Sequence, residues 1–91
     1  MIMKYDRKKA IRLSKHAKEQ CKERGAKENE VKKAIMKSQW LRAKNNRYEC
    51  KYNFQFDAEW NGKRYAIKEV KPIFVEEKNE IAVVTVYTYY N

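Results

Sequence analysis

The chain changes its hydrophobic pattern near Asn45-Asn46, where a helix-forming first half gives way to a second half that alternates like strands. In the first half, Ser14 precedes a helix-forming run and Gly25 follows it, which predicts a helix from about Lys15 to Arg24. A second helix is predicted from about Glu28 to Ser38. Its apolar stripe is Val31, Ala34 and Ile35.

The beginning of the chain leaves two alternatives open. Ile11 and Leu13 lie on alternate positions, which fits a short strand, whereas a longer first helix would extend back to Asp6. The length of 91 residues accommodates a single domain over residues 1–91. The sequence also leaves open whether residues 1–10 are flexible.

Three strands are predicted in the second half. Apolar or aromatic residues alternate with polar ones from Tyr48 to Trp60, the period-two pattern of a strand with one buried face. Asn61-Gly62 is the preferred two-residue hairpin turn, so a second strand follows from Lys63 to about Val75. The third strand, Glu80 to Tyr90, is apolar on both faces and is therefore predicted to be central or covered on both sides.

Pro72 conflicts with a simple arrangement of these strands, because proline has no N–H to donate inside a sheet. A bulge or bend at Lys71-Pro72 would remove the conflict. The predicted fold is therefore α+β, with two N-terminal helices packed on one face of a three- to four-stranded antiparallel sheet.

The net charge narrows the class of partner. Lysine and arginine number 22 against 12 acidic residues, which gives a formal charge of +10. Such an excess attracts polyanions and favours binding to nucleic acid, RNA more than DNA, or to an acidic protein. A solvated lysine-rich surface is the alternative that needs no partner, but it does not account for ten unbalanced charges.

The sequence predicts neither a membrane-spanning segment nor a metal site. No stretch approaches the length of a membrane span, and the first residues lack the apolar core of a signal peptide, so a cytoplasmic protein is expected. Cys21 and Cys50 are isolated, and both would be reduced in that compartment. With His16 as the single histidine, the chain lacks the ligands of a zinc site, and no metal or other cofactor is predicted.

His16, Gln20 and Arg24 are spaced four residues apart and would form one stripe on the first helix. An imidazole moves protons near neutral pH and a guanidinium binds phosphate at two points, so the pair suits RNA cleavage through the 2′-hydroxyl. The alternative is structural, with His16 bonded to the backbone at the helix start and Arg24 stabilising the helix C-terminus. Spacing alone favours the structural alternative.

Short sequence motifs shift the choice for His16 and Arg24 from a structural toward a catalytic role. The chain contains Ser-Lys-His-Ala, then Glu-Arg-Gly, a second helix and a final Val-Val-Thr-Val-Tyr strand. With these motifs it resembles the domain-of-unknown-function 4258 family over roughly residues 11–87. That family looks related to the BrnT and RelE toxins, small ribonucleases in which a helix pair packs on a sheet. Gln20 departs from the family pattern, in which an arginine is usual. The residues that match its motifs are His16, Arg24, Thr85 and Tyr87.

Other basic and aromatic residues are candidates for RNA contact. Arg64 and Lys68 have the same parity on their strand and would share a sheet face if no bulge intervenes. Tyr87, Tyr89 and Tyr90 would stack on bases or, like many strand aromatics, belong to the core. The candidates for nucleic-acid binding are Lys15, Lys18, Arg47 and Lys68.

The resemblance implies a metal-independent endoribonuclease of toxin type, which cleaves mRNA and is neutralised by an antitoxin. In such an enzyme His16 would move a proton, and Arg24 and Arg64 would stabilise phosphate charge. Tyr87 or Thr85 would position or protonate the leaving group. The alternatives are a non-catalytic basic RNA-binding module and a protein-interaction domain for an acidic partner.

Overall fold

The computed structural model describes residues 9–91. Whether a helix reaches Asp6, and whether residues 1–8 are flexible, are questions that lie outside the described residues. The strand at residues 10–13 confirms the short-strand alternative for that segment. In chain order the elements are β1 (Ala10–Leu13), α1 (Lys15–Arg24), α2 (Glu28–Lys37), β2 (Leu41–Ala43), β3 (Arg47–Glu49), β4 (Tyr52–Trp60), β5 (Lys63–Glu76) and β6 (Glu80–Tyr90).

Both predicted helices are confirmed, and their end signals act as expected. Ser14 Oγ accepts a hydrogen bond from the Ala17 N–H at 3.1 Å, and Gly25 ends α1 in the left-handed conformation with a φ of 76°. At the start of α2, the Glu30 carboxylate accepts a hydrogen bond from the Lys27 N–H at 2.9 Å. The residues that α2 buries are Val31, Ala34 and Ile35.

The described strands form one six-stranded mixed sheet in the order β1-β6-β5-β3-β2, with β4 also paired to β5. β1 runs parallel to β6, and the other pairs are antiparallel. The prediction of a three- to four-stranded antiparallel sheet is therefore wrong in strand number and in direction. β1 and β2 have only four and three residues, too few for a clear period-two signal. The central position predicted for β6 is confirmed.

The alternating segment from residue 48 to residue 60 forms two strands rather than one. β3 pairs with β5 through Tyr48 and Glu49, and β4 pairs with an earlier stretch of β5. Residues 50–51 separate the two strands, and the register with β5 continues unchanged from Glu49 to Tyr52. The hairpin turn after β4 is confirmed, since Asn61 and Gly62 have φ values of 51° and 82°.

Pro72 lies in β5 opposite this interruption of the ladder. Its carbonyl accepts a hydrogen bond from the Cys50 N–H at 3.4 Å. Since the N and C=O of one strand residue point to the same side, the proline nitrogen also faces the break between β3 and β4, where no ladder bond requires a donor. The bulge predicted at Lys71-Pro72 lies slightly further on, as a register shift between Ile73 and Phe74.

The two faces of the sheet have different surroundings. One face packs against the helices around a core that includes Val70, Phe74, Ile81, Val83 and Val86. Residues of the opposite parity in β5 and β6 project from the other face, where the described part of the chain places no helix. This open face is where a ligand can approach the sheet directly.

Candidate nucleic-acid interface

A groove on the open face of the sheet gathers basic and aromatic side chains. Its volume is about 390 Å³. Three lysine or arginine side chains and one carboxylate line it, so its charge favours an anion. We call it the open-face groove, and it is lined by Ala43, Lys44, Asn45, Arg47, Glu49, Lys71, Ile73, Thr85, Tyr87 and Tyr89.

The register of β5 and β6 sets the centre of this groove. Lys71 lies directly opposite Tyr87 across the strand pair. Thr85, Tyr87 and Tyr89 alternate along β6 and project from the same side of it. Tyr87 is 38% exposed and Tyr89 is 47% exposed, so both rings are accessible to a ligand.

Arg24 reaches the groove from α1, past the edge of β6. Its Nη1 donates a hydrogen bond to the Val86 carbonyl at 2.6 Å, and its guanidinium lies 5.1 Å from the centre of the Tyr87 ring. A cation at that distance over an aromatic ring is held by the negative face of the ring. The predicted residues Arg24, Thr85 and Tyr87 are therefore brought together, with Arg47 in the same groove.

Gln20 has a structural role that the motif comparison missed. β1 ends at Leu13, opposite Val83, so the backbone of Val86 has no strand partner on that side. The Gln20 side-chain carbonyl accepts a hydrogen bond from the Val86 N–H at 2.8 Å, while Arg24 donates to the Val86 carbonyl. These two bonds fix α1 to β6 and satisfy both polar groups of one buried residue.

His16 does not line the groove, although it belongs to the same stripe of α1. It is exposed at the start of the helix. A rise of 1.5 Å per residue separates it from Arg24 by about 12 Å along the helix axis. Lys15 and Lys18 are also exposed on α1, and Lys18 Nζ lies 4.0 Å from a Glu28 carboxylate oxygen. None of these three residues lines the groove.

Arg64 and Lys68 do not share a solvent-facing surface. The β4–β5 register shifts between Gln55 and Ala58, which is the irregularity that the parity argument had to exclude. Arg64 is exposed, and its Nη2 donates to the Asp57 carbonyl at 2.8 Å. Lys68 is 3% exposed under the helices. Its ammonium therefore cannot meet a phosphate while it remains in this position.

Lys71 is a groove residue that the sequence reasoning missed. Its Nζ lies 3.1 Å from Glu49 Oε2. The hydrogen bond with Glu49 raises the pKa of Lys71, so the ammonium is charged at neutral pH. The sequence did contain a signal for Lys71. Its parity is opposite to that of the apolar Val70 and Pro72, which indicates the opposite face of the sheet, but the conflict over Pro72 obscured this pattern.

Tyr90 belongs to the core side rather than to the groove. Its hydroxyl donates a hydrogen bond to the Arg24 carbonyl at 2.6 Å, and its ring stacks on Trp60 at 5.1 Å. Burial raises the pKa of Tyr90. A Cβ added to Gly25 would lie 2.5 Å from the Tyr90 hydroxyl oxygen, so the glycine is needed for close approach as well as for its φ.

The cysteines are buried thiols, and the described acidic residues do not cluster as metal ligands would. Cys21 and Cys50 are free and buried, and burial raises the pKa of Cys50 to about 12. Residues 9–91 contain no group of three or more His, Cys, Asp or Glu side chains placed to hold a metal ion. Within the same range, no helix is long and apolar enough to cross a membrane.

Comparisons with known proteins find no matching family model, no matching curated protein and no matching solved structure. The resemblance to the domain-of-unknown-function 4258 family therefore stays a prediction from short motifs. The charge of the chain and the geometry of the open-face groove are the observations that bear on function.

Proposed function

We propose that this protein binds single-stranded RNA in the open-face groove and cleaves it as a metal-independent, toxin-type endoribonuclease acting on mRNA. The observation that carries the proposal is the Arg24 guanidinium, which lies 5.1 Å from the centre of the Tyr87 ring beside a groove lined by three further cations. A chain with a formal charge of +10 provides the wider attraction for a polyanion.

The groove combines the two features that bind single strands. Lys44, Arg47 and Lys71 are positioned to neutralise successive phosphates. Tyr87 and Tyr89 provide exposed rings for base stacking, which contributes about 1–3 kcal/mol per base and tolerates any sequence. Single-stranded RNA fits this surface better than a duplex, because only unpaired bases expose their faces to such rings.

Cleavage through the 2′-hydroxyl needs stabilisation of the phosphorane charge and transfer of protons. In the proposal, Arg24 stabilises the developing charge because it stands beside the groove and presents fixed N–H donors. The 2′-oxygen attacks phosphorus and gives its proton to solvent in the open groove, while the bond from phosphorus to the 5′-oxygen breaks. Tyr87 protonates that departing 5′-oxygen, and Thr85 positions the phosphate from the next position on the same face. His16 lies outside the groove lining, so proton transfer is assigned to Tyr87 first.

A non-catalytic RNA-binding module is the second candidate, and one observation favours it. Arg24 is already engaged with the Val86 carbonyl, and Gln20 holds the N–H of the same residue. A helix stripe used to anchor β6 has less freedom to act on a phosphate. In either case, the antitoxin would be an acidic protein that competes with RNA for the open-face groove.

Purified protein incubated with labelled single-stranded RNA tests the proposal. We expect the RNA to be shortened in the presence of a chelator, with products that end in a 2′,3′-cyclic phosphate. RNA that is bound but stays intact would favour the non-catalytic module. No binding even at low ionic strength would overturn both candidates and leave the protein-interaction alternative.

A further inference from the structure

A second depression adjoins the open-face groove where the segment after α2 meets β3. Its volume is about 310 Å³, at the lower end of the range of small-molecule sites. We call it the side pocket. Gln39, Leu41 and Cys50 contribute to its walls, and Glu49 and Lys71 line both the side pocket and the groove. A strand of RNA that follows the groove therefore passes the entrance of the side pocket.

The walls of the side pocket suit a flat apolar ring. Leu41 is 52% exposed, so its side chain is accessible to a ligand in the side pocket. Cys50 is 2% exposed, and burial raises the pKa of its thiol to about 12, so this wall is uncharged. Ser38 Oγ donates a hydrogen bond to the Lys51 carbonyl at 2.8 Å, which holds the rim together.

Glu49 gives the side pocket a preference among ligands. The Glu49 side chain is 27% exposed, and its Oε2 lies 3.1 Å from Lys71 Nζ. A carboxylate can accept about four hydrogen bonds, so capacity remains for a ligand. Lys51 and Lys71 also line the side pocket, so its charge alone does not exclude phosphate. The remaining acceptor capacity of Glu49 attracts N–H donors, which bases carry and phosphates lack.

We propose that the side pocket is a nucleobase subsite of the RNA groove and that Glu49 selects guanine there. Guanine presents two adjacent N–H donors, N1–H and the N2 amino group, which match the two oxygens of a carboxylate. Adenine and cytosine each offer one amino group beside an acceptor, and uracil has carbonyl acceptors on both sides of its N3–H. Lys71 uses one of its three N–H donors to hold the Glu49 carboxylate in position, and the others remain for a phosphate in the groove. This inference rests on the proposed binding of RNA in the groove.

The test uses nine-nucleotide RNA strands that carry 2′-fluoro groups and therefore cannot be cleaved through the 2′-hydroxyl. One strand is all uridine, and the others carry a single central guanine, adenine or cytosine. We expect fluorescence anisotropy to show roughly tenfold tighter binding of the guanine strand than of the uridine strand. Glu49→Gln should reduce that ratio to about one, because the amide offers one acceptor oxygen and a donor in place of two acceptor oxygens.

A matched control is Glu69→Gln, which removes a carboxylate from β5 that does not line the side pocket. It should leave the guanine preference unchanged. RNA binding without any preference for guanine would overturn the guanine subsite alone, and so would a preference that survives Glu49→Gln. Absence of RNA binding at low salt would overturn the proposed function and this inference together.

A second measurement does not depend on the folding of a variant. Guanosine 5′-monophosphate, titrated into the ¹⁵N-labelled wild-type protein, should shift the backbone amide signals of Leu41 and Cys50. Uridine 5′-monophosphate at the same concentration should shift them much less. Equal shifts with both nucleotides, or shifts confined to α1, would overturn the assignment of the side pocket.

Discussion

Val86 is one of the residues at which the helix layer and the sheet are joined by hydrogen bonds. β1 ends too early to pair with it, so its N–H and carbonyl need partners from elsewhere. Gln20 accepts from the N–H and Arg24 donates to the carbonyl. An amide at position 20 offers the acceptor that a guanidinium lacks. The departure from the motif is therefore explained by local structure.

The first prediction concerns this acceptor. Gln20→Ala leaves the buried Val86 N–H without a partner, and we expect a loss of about 1–3 kcal/mol in the free energy of unfolding. Urea denaturation followed by circular dichroism measures it. Glu19→Ala, an exposed neighbour on the same helix, is the control and should change stability by less than about 0.5 kcal/mol. Equal losses in the two variants would contradict the anchoring role of Gln20.

The second prediction separates the hydroxyl of Tyr87 from its ring. Tyr87→Phe keeps the surface on which Arg24 lies but removes the proposed proton donor, so RNA cleavage should fall by roughly 10²-fold or more. Affinity for RNA should change little, because base stacking needs only the ring. Single-turnover cleavage and anisotropy measure the two quantities. Tyr52→Phe, on the core side of β4, serves as the control.

His16→Ala tests where the proton transfer takes place. Since His16 lies outside the groove lining, we expect cleavage to stay within about threefold of the wild type, well below the 10²-fold effect of a catalytic acid or base. A loss of 10²-fold or more would return the imidazole to the mechanism. It would also move the site from the groove toward the start of α1.

A buried ion pair between α2 and β5 sets the position of the second helix. Lys68 Nζ lies 2.8 Å from Glu30 Oε1 and also donates to the Gly25 carbonyl at 2.9 Å. The lysine side chain is 4% exposed and the glutamate side chain 16%. The same carboxylate oxygen accepts from the Lys27 N–H and so ties the start of α2 to the sheet.

The fourth prediction follows from the cost of an unpaired buried charge. Glu30→Gln leaves the Lys68 ammonium without its counter-ion and should lower the free energy of unfolding by about 3 kcal/mol. Lys68→Met should cost less, because the apolar stem is kept and the charge that remains is on the more exposed partner. Combining the two changes should recover much of the loss. Additive losses in the double variant would contradict the coupling.

At the level of elements, the sequence was informative wherever a signal extended over many residues. Both helices were bounded by local chemistry, β4 was found by alternation, β5 by the Asn61-Gly62 turn before it, and β6 as a run that is apolar on both faces. β1 and β2 are defined by pairing with distant strands, a property that local patterns do not encode. The break at residues 50–51 keeps the alternation intact, so one strand and two strands give the same pattern.

The candidate site was predictable in part for the same reason. Thr85, Tyr87 and Arg47 were singled out by motif or charge, and all three line the open-face groove. Arg64 and Lys68 were placed by parity, which a single bulge reverses. The burial of Lys68 also depends on the tertiary position of Glu30. Such a partner cannot be identified from the spacing of residues along the chain.

On the scale of the whole molecule, the question is whether the +10 charge acts as a diffuse field or through the open-face groove. Exposed lysines lie on both helices, including Lys15, Lys18 and Lys22 on α1. The groove has fewer cations, but it also has rings on which bases can stack. Both modes weaken in salt, and they differ in the number of phosphates neutralised.

The last prediction uses this difference. For single strands, the logarithm of the association constant falls with the logarithm of salt by about 0.7 per neutralised phosphate. Binding through Lys44, Arg47 and Lys71, with Arg24 at the rim, therefore predicts a slope between about −2 and −3. Lys44→Ala and Arg47→Ala should each make the slope shallower by about 0.7, as measured by anisotropy from low to physiological salt. Lys18→Ala and Lys22→Ala, which change residues outside the groove lining, should leave the slope unchanged. A slope steeper than about −5, or equal effects of groove and helix variants, would mean that RNA is held by the surface as a whole.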